Sequence, residues 1–172
     1  MDTQETDQPD FDALWDYNDP GATEQRFRAI LAQAEQSGNR DYYAQLLTQL
    51  ARALGLQRRF AEAHATLDAA TTLVSPDLAL ARVRHTLERG RLFNSAGEPD
   101  AARPFFQAAW EAAQAAGDDG YAVDAAHMLG IVSPPAEKLA WEQRALALAE
   151  ISPQPRARKW LASLYNNMGW SY

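Results

Sequence analysis

The chain has 172 residues, a formal net charge of −7, 47% hydrophobic residues and no cysteine. Alanine and leucine supply 53 residues against seven from valine and isoleucine, which predicts an all-α protein because strands favour β-branched residues. The lack of cysteine excludes disulfides and thiolate chemistry, and no apolar run approaches the roughly 20 residues that span a bilayer.

Residues 1–18 are predicted to form an acidic, largely disordered extension. The first 20 residues hold seven of the 23 acidic residues and no lysine or arginine, which leaves 16 acids against 16 bases in residues 21–172. The acidic start is the opposite of a secretory signal, so we expect a cytoplasmic protein without a membrane partner. Because the body is neutral and nucleic acids require a basic face, we expect no nucleic-acid partner.

Helix-breaking residues divide the rest of the chain into eight helix-length segments. Asp19 and Pro20 match the preferred N-cap and first residue of a helix. Short connections between the segments predict antiparallel packing of neighbouring helices. The predicted helices cover residues 20–36, 41–54, 60–73, 77–95, 99–116, 121–131, 136–150 and 155–171.

A repeated order of small and large residues runs through these segments. The pattern of Phe60, Ala63, Leu67 and Ala70 recurs as Pro99, Ala102, Phe106 and Ala109. The preceding helix of each unit carries a small residue and, three positions later, a large one: Ala51 with Leu54, Gly90 with Phe93, Ala126 with Leu129, and Gly169 with Tyr172. A small residue allows two helices to approach closely while large residues fill the space around it.

This order resembles the tetratricopeptide repeat (TPR) of bacterial TPR proteins, and the stretch from Met168 to Tyr172 is most similar to the family's Leu-Gly-x-x-Tyr helix. The resemblance implies a right-handed αα-superhelix, a solenoid of about eight antiparallel helices. The helical repeat domain would cover residues 19–172, and a generic helical bundle is the alternative. Its parts would be a leading helix over 20–36, repeats over about 41–75, 77–116 and 119–151, and a half-repeat over 155–172.

The residues do not indicate an enzyme or a cofactor. His64, His85 and His127 lack the i, i+4 spacing that places two metal ligands on one helix face, and phosphate-loop and nucleophile motifs are absent. We therefore predict a non-catalytic protein without a cofactor or metal.

In the TPR family the first helix of each pair lines a concave groove, so the resemblance implies a scaffold that binds a peptide or helix of a partner protein. One alternative is a peptide-sensing regulatory domain of a larger signalling protein. The other is a self-assembly module, which would form a homo-oligomer through the uncovered carboxy-terminal helix.

The resemblance also places candidate partner-binding residues in the groove. Arginines would pair with the carboxylates of an acidic peptide, and asparagines would hydrogen-bond its backbone. The alternative is that Arg84, Glu88 and Arg91 pair with one another on a solvated helix face, since their spacings are i, i+4 and i, i+3. The candidates are Arg52, Arg84, Arg91, Asn94, His127, Asn166 and Trp170.

The acidic extension contains a ligand of the kind that such a groove would hold. Phe11, Leu14 and Trp15 fall on one face of a helical turn, with aspartates between them. The extension could dock in the groove of its own chain or of a neighbour and compete with an outside peptide. It could equally cover the first helix as a hydrophobic cap, because tethering to the adjacent helix costs little loop entropy.

Overall fold

The computed structural model describes residues 8–169, and the side chains of residues 8–167. Within these residues the protein is all-helical and contains no strand. Eight helices of nine or more residues and one four-residue turn, α8, follow a short 3-10 turn over Phe11–Leu14. The helices are α1 (Pro20–Gln36), α2 (Arg40–Leu56), α3 (Phe60–Thr71), α4 (Ala79–Ser95), α5 (Pro99–Ala116), α6 (Asp119–Val132), α7 (Pro135–Ile151), α8 (Pro155–Arg158) and α9 (Leu161–Gly169).

The predicted all-α composition is confirmed, and the first seven predicted helices lie within two residues of the observed bounds. Local signals set several of the helix ends: the side chains of Asp19, Asn39 and Asp118 accept hydrogen bonds from backbone N–H groups at the starts of α1, α2 and α6. Gly117 ends α5 in the left-handed conformation, with a φ of 68°. The last predicted helix, over residues 155–171, is divided into α8 and α9, and its final residues lie outside the described part of the chain.

The helices pack as successive neighbours. α2 packs on α3, α4 on α5 and α6 on α7, while α2 also packs on α4, and α5 on α6. The small residues of the predicted pattern lie inside: Ala51 and Ala126 are fully buried, and a Cβ added to Gly90 would lie 2.6 Å from the Phe106 ring. The prediction that small residues allow close helix contact is therefore confirmed at these positions.

The buried side chains of residues 8–167 form three clusters along the chain. The first lies among α1 to α4 around Phe27 and Leu54, the second among α4 to α7 around Phe106, and the third among α6 to α9 around Leu164. Trp110 and Trp141 lie between the second and third clusters, with ring centres 5.7 Å apart. No helix within residues 8–169 is long and apolar enough to cross a bilayer.

The acidic extension differs from the predicted disorder from residue 8 onward, whereas residues 1–7 lie outside the described residues. Phe11 is 7% exposed and belongs to the first cluster, against which Leu14 and Trp15 also pack. Three apolar side chains within five positions bury enough surface to offset the entropy lost when this short stretch is ordered. We call residues 8–19 the amino-terminal segment.

Candidate functional site

Helices α2, α4 and α6 carry a row of alternating charges that we call the arginine face. Glu88 Oε1 accepts from Arg52 Nη1 at 3.2 Å and from Arg91 Nη1 at 2.7 Å. Arg91 Nη2 in turn donates to Asp124 Oδ1 at 2.5 Å. A continuous chain of ion pairs therefore connects the three helices. The arginine face comprises Arg52, Arg84, Glu88, Arg91 and Asp124.

Most of these charges are largely buried, and they depend on one another. Glu88 is 2% exposed, Arg84 3% and Asp124 8%. Burial disfavours the charged form of Arg91, yet the carboxylates of Asp124 and Glu88 raise its pKa above the ordinary value. Since an isolated buried charge is very costly, each carboxylate offsets the cost of burying its arginine.

The sequence also allowed Arg84, Glu88 and Arg91 of α4 to pair with one another on a solvated helix face. One of the two expected ion pairs forms and the other does not. Glu88 and Arg91 form the expected i, i+3 ion pair, although both are largely buried instead of solvated. Arg84 makes its ion pair with Asp12 of the amino-terminal segment. Arg84 Nη1 donates to Asp12 Oδ1 at 2.9 Å, and Arg84 Nη2 donates to Asp12 Oδ2. This forked geometry is the one in which arginine binds carboxylates most specifically.

Two aromatic rings lie close to the Arg84 guanidinium group. Its guanidinium carbon lies 5.2 Å from the centre of the Phe11 ring and 5.5 Å from that of Tyr121. Arg156 approaches the Tyr121 ring as well, at 3.9 Å. Burial raises the pKa of Tyr121 to about 12, so its phenol stays neutral beside the two guanidinium groups.

Arg52 is the second arginine that contacts the amino-terminal segment. Trp15 and Tyr17 stack at 4.7 Å, and the guanidinium carbon of Arg52 lies 5.8 Å and 5.5 Å from their ring centres. The Trp15 indole also donates to Gln49 Oε1 at 3.1 Å. Two of the three predicted groove arginines therefore hold this chain's own acidic stretch.

A cavity of about 160 Å³ adjoins Arg52 on the arginine face. Its polar wall includes Arg52, Glu88, Arg91 and Asn94. Two atoms of these residues, Glu88 Oε2 and Arg52 Nε, are buried and have no hydrogen-bond partner among the described residues. The remaining lining residues are Gly55, Leu56, Leu92, Ser95 and Met128.

The structure brings three of the seven predicted partner-binding residues together. Arg52, Arg91 and Asn94 line the cavity, and Arg84 lies two turns before Arg91 on the same helix. Two others lie elsewhere: His127 packs its ring 5.2 Å from Trp160, and Asn166 is exposed on α9, which packs on α7. Trp170 lies outside the described residues.

The individual carboxylates that complete the site were not predicted, although docking of the acidic extension in the groove was one of two alternatives. Asp12 lies 72 positions before Arg84, and Asp124 lies 33 positions after Arg91, so no local spacing connects either pair. One signal was present, because Asp124 stands among the apolar residues at 121–126. A charge inside such a run is expected to be buried with a partner.

The surroundings of the three histidines favour the neutral form of each imidazole ring. Burial lowers the pKa of His64, His85 and His127 below the ordinary value. His85 Nε2 lies 2.9 Å from Thr71 Oγ1 and 3.0 Å from the Leu67 carbonyl oxygen. Within the described part of the chain no three histidine or acidic side chains are grouped so that they could hold a metal ion.

The chain matches no protein-family model, and a search of curated proteins finds no matching sequence. Any proposal about function therefore depends on the geometry of the arginine face and its cavity.

Proposed function

We propose that the chain is a non-catalytic scaffold that binds a peptide or a helix of a partner protein on the arginine face. The pairs α2–α3, α4–α5 and α6–α7 would be TPR-like repeats in a right-handed superhelix, with the arginine face in its concave groove. The packing of successive helices and the buried small residues support this arrangement. Rigid helices provide a pre-organised surface, so most of the ordering entropy on binding is lost by the ligand.

The cavity beside Arg52 is the observation on which the proposal rests. Its volume of about 160 Å³ exceeds the roughly 15 Å³ that one water needs but is smaller than the roughly 300–1,000 Å³ of small-molecule sites. A site of this size accommodates a side chain rather than a cofactor. A ligand side chain that enters the cavity could hydrogen-bond with Asn94, while its apolar portion contacts Leu92 and Met128.

Charge favours an acidic ligand at the edge of the cavity. The Arg52 side chain is 26% exposed and shares the Glu88 carboxylate with Arg91, so it retains capacity for another carboxylate. In this proposal the chain has no catalytic step, no cofactor and no nucleic-acid partner, and it acts in the cytoplasm. Self-assembly through α9, where Tyr165 is 53% exposed, stays a prediction.

Substitutions around the cavity test this function. Linear peptides would be selected from a random library on the full chain, labelled, and titrated by fluorescence anisotropy. Asn94→Ala removes a polar group of the wall and should weaken binding about three- to tenfold. Ser95→Trp places a large side chain in the cavity and should weaken binding by about tenfold or more.

The matched control is Arg82→Ala, because Arg82 is exposed on the same helix and lines a different surface. Peptide affinity should be unchanged in this variant, and thermal melting should show that all three variants remain folded. The proposal is wrong if no binding peptide is recovered, or if the selected peptides bind the cavity variants and the wild type equally.

A further inference from the structure

The amino-terminal segment lies on the arginine face in the way that a bound peptide would. Its side chains contact three different helices: Trp15 meets Phe27 of α1 with ring centres 5.3 Å apart, and Phe11 meets Tyr42 of α2 at 5.1 Å. Asp12 contacts α4 because its carboxylate accepts two hydrogen bonds from Arg84. The segment is thus recognised by the aromatic and charged side chains of the helices across which it runs.

Side chains of the helices also hold the backbone of the segment. The Tyr42 hydroxyl donates to the Pro9 carbonyl oxygen at 2.7 Å, and Arg26 Nη1 donates to the Leu14 carbonyl oxygen at 3.1 Å. Such contacts do not depend on the side chains of the segment. They would position any peptide that follows the same path, while the contacts to residues 11, 12 and 15 would select its sequence.

The segment is partly exposed at Asp12, while Phe11 is anchored in the first cluster. The Asp12 side chain is 41% exposed, although the Arg84 side chain beneath it is 4% exposed. Release of the segment would uncover a desolvated guanidinium flanked by the Tyr121 ring. A buried arginine within an aromatic pocket is a common energetic centre of protein interfaces.

We propose that the amino-terminal segment competes within the chain against the partner for the arginine face. The partner is then an acidic peptide with the same residue pattern: an aromatic residue, Asp, any residue, Leu and a second aromatic residue. The pattern is that of residues 11–15 in this chain. This inference rests on the proposed function and specifies the chemistry of the partner. The partner's aspartate takes the place of Asp12 on Arg84, and its two aromatic residues take the places of Phe11 and Trp15.

Tethering determines how strongly the segment competes. A segment joined to α1 by a short connection has an effective concentration in the millimolar range at its own site. A free peptide with identical contacts therefore binds the intact chain weakly, and it binds more tightly once the tethered segment is weakened. Competition of this kind would let only a better-fitting or locally concentrated partner occupy the face.

A charge-exchange experiment in the full chain tests the inference. The probe is a labelled peptide with the sequence of residues 8–19, in its native form and with Asp12→Lys. The Asp12→Lys chain should bind the native peptide about tenfold or more tightly than the wild type does, and should reject the substituted peptide. The Arg84→Glu chain should show the reverse preference, and the double variant should bind both peptides as weakly as the wild type.

Two further variants serve as controls for misfolding. Trp15→Ala weakens the tethered segment without touching Arg84 and should also increase affinity for the native peptide. Arg82→Glu changes an exposed arginine on the same helix and should behave as the wild type. If Arg84→Glu does not fold, the preference of the Asp12→Lys chain between the two peptides still decides the question.

Three results would overturn the inference. The wild type and the Asp12→Lys chain could bind the native peptide equally. Alternatively, no chain could bind either peptide while Asp12→Lys lowers the melting temperature, which would make the segment a permanent hydrophobic cap. Finally, sedimentation could show that the wild type is a dimer and that Asp12→Lys dissociates it. The arginine face would then be occupied by the segment of a second copy of the chain.

Failure here is distinguishable from failure of the proposed function. The peptides selected on the full chain depend on Asn94 and Ser95 if the scaffold function is correct, whatever the segment does. If those peptides bind the cavity and the charge exchange has no effect, the chain is a scaffold whose partner differs from its own segment.

Discussion

At the scale of single residues, the arginine face shows that each buried arginine requires a carboxylate partner. Arg84 and Arg91 are both on α4. Arg84 pairs with Asp12, which comes far earlier in the chain, and Arg91 pairs with Asp124, which comes far later. The residue types were visible in the sequence, whereas the pairings were not. Small residues are the opposite case, because their spacing alone indicated where helices meet closely.

Gly90 provides a direct test of close helix contact. A Cβ at this position would lie 2.6 Å from Phe106 Cε1, and the Phe106 side chain is fully buried. Gly90→Ala should therefore lower the free energy of unfolding by about 1–3 kcal/mol, despite the better helix propensity of alanine. Urea denaturation followed by circular dichroism measures the change.

Gly21→Ala is the matched control for that substitution. A Cβ at Gly21 would meet its nearest atom, Asp19 Oδ1, at an ordinary 3.5 Å. We expect no loss of stability, and a gain of up to about 1 kcal/mol from helix propensity. Equal effects at the two glycines would show that α4 and α5 do not approach as closely as the structure describes.

At the scale of elements, local capping signals set where helices begin, but tertiary contacts decided where one of them breaks. The predicted helix over 155–171 contains neither proline nor glycine between α8 and α9, so no local signal marks the division. Around the break, Trp160 packs against His127 and Arg156 covers the Tyr121 ring. These contacts with α6 are between residues distant in sequence, which pattern reasoning does not detect.

The first turn of α6 tests the capping argument. The Asp118 carboxylate accepts from the Tyr121 backbone N–H at 3.0 Å, so Asp118→Ala should lower the free energy of unfolding by about 1 kcal/mol. Glu98 occupies the same position before α5 but makes no side-chain capping bond. Glu98→Ala should therefore change stability by no more than about 0.5 kcal/mol. Chemical denaturation of both variants gives the comparison, and similar losses would contradict it.

At the scale of the whole molecule, ion pairs between distant parts of the chain connect the helices. The ion pairs of the arginine face join α2, α4 and α6, and the amino-terminal segment adds Asp12 to the same row. Glu24 makes a further connection, since it bonds Arg59 at 2.6 Å between α1 and the start of α3. Stability should therefore respond to pH through groups spread over the molecule.

The three histidines predict the first part of that response. Burial lowers the pKa of His64, His85 and His127 from the ordinary 6.5, so the unfolded chain binds protons more readily than the folded one. Stability should be constant above about pH 7 and should fall as the pH drops through 6.5. Denaturant unfolding at several pH values measures the slope, and His85→Gln should reduce it.

Carboxylates extend the loss of stability to lower pH. Although burial alone would raise the pKa of Glu24, its bonds to Gln57, Arg28 and Arg59 lower it below the ordinary 4.5. The stabilisation from this group is complete above that value and is lost as the pH falls through the lowered pKa. A chain whose stability does not change between pH 7 and about pH 5 would contradict the burial of the histidines.

Composition, helix breakers and the recurrence of small residues were enough to specify an all-helical chain, its helix positions and several of its closest contacts. These properties depend on local propensity and on periodicity within one helix, both of which can be read along the chain. The tertiary structure alone decided that residues 8–18 fold back onto the helices, that Asp12 and Asp124 neutralise Arg84 and Arg91, and that Arg52, Arg91 and Asn94 share a cavity. Those outcomes depend on which distant groups meet when apolar surfaces are buried, and a buried charge accepts whichever partner that packing brings within reach.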